Sequence, residues 1–169
     1  MSLLLQPVRY LARALTEECS SRQLALGFAM GLVIGLVPKG TLTAVALMTI
    51  LCASRVNLAA GMLSAFLFSW IAVLTDPLTH FLGWSLLRAE SLTPLWTSLY
   101  DVPLVPWTAF NNTVVLGSLV LGLVLLYPAY RLSEPLFARY TPLVQAKLSK
   151  LKVAQLLLGA EWAGRFGRA

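Results

Sequence analysis

The sequence predicts an all-α integral membrane protein: short helical hairpins, re-entrant or spanning, beside longer spanning helices and flanked by amphipathic interfacial helices. Three observations carry that expectation. Hydrophobic residues make up 58% of the chain and charged residues 12%, about half the charged share of a soluble domain. Glycine recurs every fourth residue at Gly27, Gly31 and Gly35, inside an apolar run that stops at Pro38-Lys39-Gly40. Basic residues gather at the end: of 13 Lys and Arg, those after residue 130 are Arg131, Arg139, Lys147, Lys150, Lys152, Arg165 and Arg168. No polar linker divides the chain, so residues 1–169 read as one membrane domain. Within it, 1–20 form an interfacial helix, 22–130 the membrane core and 131–169 a basic amphipathic cytoplasmic tail.

Residues 3–18 place Leu4, Val8, Leu11 and Leu15 on one side of a helix, with Arg9, Arg13 and Glu17 displaced toward the other. Such a segment lies in the membrane interface. The start lacks a charged first region and a small-residue cleavage site, so it is expected to be retained. Gln23 to Val37 and Thr41 to Ser54 are apolar runs, each shorter than the roughly 20 helical residues needed to cross a hydrocarbon core. Pro38 ends the first and Gly40 supplies a turn. The pair makes a hairpin that either turns back part-way or crosses a thinned bilayer. Glycines at this spacing form a groove for a closely packed backbone.

Asn57 is placed to cap the next helix, which starts at Leu58. Asp76 and Pro77 have the spelling of an N-cap and first turn, so a break is expected there, with a short helix over 78–87. Breaks at Pro38-Lys39-Gly40 and Thr75-Asp76-Pro77 in neighbouring hairpin-like units suit a transporter's binding region. Residues 88–110 alternate Pro94, Pro103 and Pro106 with Trp96, Tyr100 and Trp107, as an interfacial loop would. Asn111-Asn112-Thr113 caps a span over 114–130, and Pro142 is placed to start a tail helix striped with Leu148, Leu151, Ala154 and Leu158. The loop after Arg88 carries little positive charge while both ends are basic. Both termini are therefore expected on the cytoplasmic side of the membrane.

The segments Arg55-Val56-Asn57-Leu58 and Asp76-Pro77-Leu78-Thr79, with the glycine-rich helix and its proline–glycine turn, resemble a bacterial family of uncharacterised inner-membrane proteins, a domain of unknown function. Gly27, Gly31, Gly35, Pro38, Gly40, Arg55, Asn57, Pro77 and Thr79 match its pattern, while Asp76 stands where the common form has Asn. Lys39, the segment from Pro103 to Trp107 and the segment from Phe110 to Thr113 resemble a narrower gammaproteobacterial subfamily. That subfamily accompanies a large AsmA-like envelope protein, a class tied to lipid movement between membranes. The resemblance therefore implies an inner-membrane location and an association with envelope lipid handling.

Between Arg22 and Arg88 the charged or histidine side chains are Lys39, Arg55, Asp76 and His80. Such groups at membrane depth are costly and mark either a function or a partner. Lys39, helped by Arg55, could meet an anionic headgroup near the hairpin tip. The plainer reading is a lysine snorkelling to the headgroups and an arginine marking the cytoplasmic edge. Asp76 and His80 share a helix face as an ion pair or proton relay; capping by Asp76 explains the same spelling. A charge pair of Asp76 with Lys39 or Arg55 is a third option. Gly27, Gly31, Gly35, Pro38 and Gly40 are assigned to helix packing or partner contact. One histidine, two cysteines at no metal spacing and no paired carboxylates argue against an enzyme, a metal site or a cofactor. The apolar stripe of the tail, with Trp162 and Phe166, favours lipid or protein over nucleic acid.

Two functions are expected from these features. One is a non-enzymatic subunit of an envelope lipid-transport assembly, bound to membrane lipids and to a larger AsmA-like protein with a membrane anchor. The other is a small autonomous transporter or flippase that moves an anionic lipid with a re-entrant hairpin. A second copy of the chain is a further candidate partner.

Overall fold

The first helix, α1 (Ser21–Leu36), begins on a capping box. Ser20 Oγ accepts from the Gln23 amide at 3.3 Å, and the Gln23 side chain accepts from the Ser20 amide at 3.3 Å. The computed structural model describes residues 20–150, with side chains described through residue 142. The expected interfacial helix over 3–18 and the side chains of the tail stripe lie outside the described residues.

After α1 come α2 (Leu42–Ala53), α3 (Leu58–Leu87), a 3-10 turn at Glu90–Leu92, α4 (Thr93–Tyr100), a second 3-10 turn at Val105–Thr108, and α5 (Thr113–Lys150). No strand occurs among the described residues. Helix starts are capped: Thr41 starts α2 by accepting from the Ala44 amide, and Asn57, as expected, starts α3 by accepting from the Ala60 amide at 2.8 Å. Asn112 Oδ1 accepts from the amides of Val114 and Val115 at the start of α5. Asn57 is buried and its amide also donates to the Gln23 carbonyl at 3.2 Å, which ties α3 to α1. Asn57→Ala is expected to lower stability by about 1–2 kcal/mol, read from reversible unfolding in mild detergent.

Helices α3 and α5 are apolar and long enough to cross a membrane. At about 1.5 Å per residue, α3 is about 45 Å long, whereas α1 is about 24 Å and α2 about 18 Å, against a hydrocarbon core of about 30 Å. This agrees with a membrane protein of short and long helices. The core is centred on α1, where Leu24, Ala25, Ala29, Leu32, Val33, Ile34 and Leu36 are buried. The long helices keep apolar side chains outside instead, including Phe66, Trp70, Val73 and Leu74 on α3.

Two expectations about breaks are corrected. Pro77 lies inside α3, which runs without interruption from Leu58 to Leu87. Asp76 is therefore exposed on a continuous helix and is not an N-cap. A proline costs a backbone bond, but ending the helix in apolar surroundings would strand more polar groups than it removes. Hydroxyls of Thr75 and Thr79 add bonds to the carbonyls of Ala72 and Asp76 around it, both at 3.0 Å. In the same way α5 continues through Pro128, Pro135 and Pro142, so the helix does not end near Tyr130 and Pro142 starts no new one.

Candidate functional site

The hairpin tip is built on the end of α1. Helix termini leave their last carbonyls without partners, and Pro38 has no N–H to offer the carbonyl of Ile34, four residues back. Lys39 fills the gap. Its Nζ donates to the carbonyls of Ile34 at 2.6 Å, Gly35 at 2.8 Å and Val37 at 2.9 Å. An ammonium has three protons, and each has an acceptor here. The cation also sits at the negative end of the α1 dipole, where charge of this sign is favoured.

The turn then locks onto its surroundings. Thr41 Oγ1 donates to the Pro38 carbonyl at 3.0 Å, and Thr43 Oγ1 donates to the Thr108 carbonyl at 2.7 Å. Thr108 belongs to a loop in which Leu104 and Ala109 adopt φ of 71° and 57°, a left-handed conformation uncommon for such residues. The hairpin tip and this strained loop thus hold each other. Upstream, on α4, Trp96 Nε1 donates to the Leu86 carbonyl at 3.1 Å and its ring stacks on Phe110 at 6.2 Å.

The glycine face packs within the chain. A Cβ on Gly27 would meet the Asn57 carbonyl, one on Gly31 would meet the Gly61 carbonyl and the Ser64 Cβ, and one on Gly35 would come within 2.5 Å of the Phe68 Cβ. Ser64 reaches back to donate to the Phe28 carbonyl at 2.7 Å. So α1 and α3 run side by side in the same direction, with their backbones nearly touching. Gly40 has open space around it and an ordinary φ, so the turn does not depend on its lack of a side chain.

Arg55 lies between α2 and α3, at the opposite end of α2 from Lys39, about 18 Å away along that helix. The two cations do not converge. Asp76 pairs with neither of them; the ion pair among the described residues joins Arg22 Nε to Glu134 Oε1 at 3.1 Å. Arg22 is 76% exposed there, and Glu134→Gln is expected to change stability by less than about 1 kcal/mol in unfolding measurements. His80 turns toward α5, with Nδ1 2.6 Å from Thr113 Oγ1.

That contact borders a crossing the sequence reading did not single out. A Cβ on Gly83 would overlap the Thr113 carbonyl, and a Cβ on Gly117 would overlap the Thr79 carbonyl. Thr79-x-x-x-Gly83 and Thr113-x-x-x-Gly117 are therefore two four-residue small-residue pairs locked reciprocally. Their spacing is the signal that would have found them. On the other side, Gly122 accommodates Val33 of α1, whose Cγ1 would lie 3.0 Å from a Cβ there.

Glycine helix, hairpin tip, Arg55-Val56-Asn57-Leu58 and the Pro77 segment all fall within residues 6–143, which match the pattern of an uncharacterised protein family conserved in bacteria, DUF2062. The chain belongs to the DUF2062 family. An uncharacterised protein of Treponema pallidum (strain Nichols) is similar to it, 27% identical over 150 residues that cover 89% of this chain and 93% of the relative. No solved structure matches the chain. Membership in DUF2062 thus attaches the glycine-rich hairpin to a bacterial family and brings no activity with it.

Proposed function

We infer that this DUF2062 protein is a non-enzymatic subunit of an envelope lipid-transport assembly in the bacterial inner membrane, working beside a larger AsmA-like protein. Its termini face the cytoplasm, and its short α1–α2 hairpin is re-entrant, covered by α3 and α5. The observation that carries this reading is how the polar groups are used. Lys39, Ser64 and Thr43 are engaged in holding the chain's own backbone. The outside of α3 is left as an apolar face, with Trp70 72% and Leu74 81% exposed. A surface of that kind suits contact with lipid and with another protein's membrane helix. Because the glycine face is occupied internally, the partner surface is assigned to this outer face of α3, with Phe66, Trp70, Val73 and Leu74.

The rival carrier would use Lys39 as its headgroup ligand, yet each of that ammonium's protons already has a carbonyl partner. Purification from native membranes in gentle detergent, followed by mass spectrometry of proteins, tests the assembly. A large envelope protein in stoichiometric amount, lost in the double variant Trp70→Ala, Leu74→Ala, is expected. Purification of the chain alone, with transport of anionic lipid in vesicles containing only this protein, would replace the subunit reading with the carrier.

A further inference from the structure

An apolar groove of about 510 Å³ runs between α1, α3 and α5, lined by Phe28, Leu32, Phe68 and a stripe of α5 that includes Leu125, Ala129 and Leu132. We propose that this groove holds one acyl chain of an anionic phospholipid, with Arg139 beside its Tyr140 end drawing in the headgroup. The proposal rests on the lipid-handling reading for its purpose and deepens it by naming where the lipid sits.

The lining decides the chemistry. Its polar members are Ser133 and Tyr140, and the Ser133 hydroxyl is already engaged with the Tyr130 carbonyl at 3.2 Å. An extended peptide would bring backbone N–H and C=O groups into a wall that cannot answer them. Size argues against a helix sunk wholly into the groove. A helix about 10 Å across would use 510 Å³ in about 6–7 Å of length, little more than one turn. A polymethylene chain is about 5 Å across at carbon contact distance, so the same volume takes a run of about 26 Å. That exceeds the roughly 15 Å depth of one leaflet's hydrocarbon, leaving room for one chain and its bends.

Charge supplies the rest. Arg139 is exposed, adjoins the lining residue Tyr140, and follows the lining residue Leu132 by seven residues, about two turns, which keeps it on that side of α5. Among the described residues the nearby carboxylate, Glu134, is engaged by Arg22. An apolar trough with positive charge toward one end fits an acyl chain that ends in an anionic headgroup.

The test uses the full-length protein in phosphatidylcholine vesicles with a trace of phosphatidylglycerol bearing a photoactivatable diazirine on its acyl chain. Label is expected on the peptides containing Phe28–Leu32 and Leu125–Tyr140, competed by unlabelled phosphatidylglycerol at one lipid per chain. Ala129→Trp should abolish that label, whereas Leu123→Trp, on an exposed position of the same helix, should leave it. Arg139→Gln should reduce it by about fivefold, with no change for a phosphatidylcholine probe, whereas Arg131→Gln, on the far side of α5, should leave it. If Ala129→Trp does not fold, the competition and the arginine variants still decide. Label spread evenly over all apolar faces, or insensitive to Arg139→Gln, would overturn the proposal. So would crosslinks that place a partner helix or residues 1–19 in the groove. Absence of a partner protein in the purification above would leave the labelling unchanged, so the two readings fail separately.

Discussion

Gly117→Ala is expected to unseat α5 from α3 and to lower stability by about 3 kcal/mol. The added methyl would meet the Thr79 carbonyl and the Gly83 amide, which are main-chain atoms and cannot rotate aside. Gly83→Ala should do the same from the opposite helix, against the Thr113 backbone. The double variant should cost less than the sum, because one separation of the helices relieves both overlaps. Gly40→Ala is the control, since nothing lies within 4 Å of it. Thermal or denaturant unfolding in mild detergent reads all four. A Gly117→Ala protein that melts with the wild type would mean that the two helices do not cross there.

The second large effect is expected at the hairpin tip. Lys39→Met keeps the apolar stem and removes every donor, leaving the carbonyls of Ile34, Gly35 and Val37 short of partners. The tip is only partly buried, so the loss is expected at about 2–4 kcal/mol, one to two unsatisfied acceptors' worth. Lys39→Arg should recover part of it by restoring donors at the end of α1. A different result would be equally informative. If Lys39→Met melts normally but no longer retains anionic lipid, the ammonium serves a headgroup and not the helix end.

Much of this fold is legible in the residues, and what is not has physical causes. Asn57, Thr41 and Asn112 cap the helices that their types and positions suggest, because a short polar side chain before an apolar run has few other uses. Asp76-Pro77 has the same spelling and misleads. The rule assumes water on hand to accept a broken helix, and a long apolar helix has none. The cap role of Lys39 follows from Pro38, which removes the donor for Ile34, once one asks where each carbonyl goes. What the glycines at 27, 31 and 35 face is not legible in the same way. A small-residue stripe says that a backbone comes close, but does not say whose, and here it belongs to α3 of the same chain. Lys39 and Arg55 look like neighbours in function by charge alone, yet α2 holds them at its two ends.

The local character of the Lys39 cap bears on how the protein is made. Each acceptor of Lys39 lies within five residues of it, so the cap can close as soon as the turn leaves the ribosome. The surfaces that cover α1 arrive far later: Ser64 follows Phe28 by 36 residues, and Phe137 packs edge-on against Phe28 from more than a hundred residues downstream. At about 5–20 residues per second, α1 waits roughly 5–20 seconds for α5. During that interval α1 lacks the cover of α5, while the charge in its turn is already matched by its own helix end. Ribosome-stalled chains should therefore resist protease at the tip well before α5 has been synthesised.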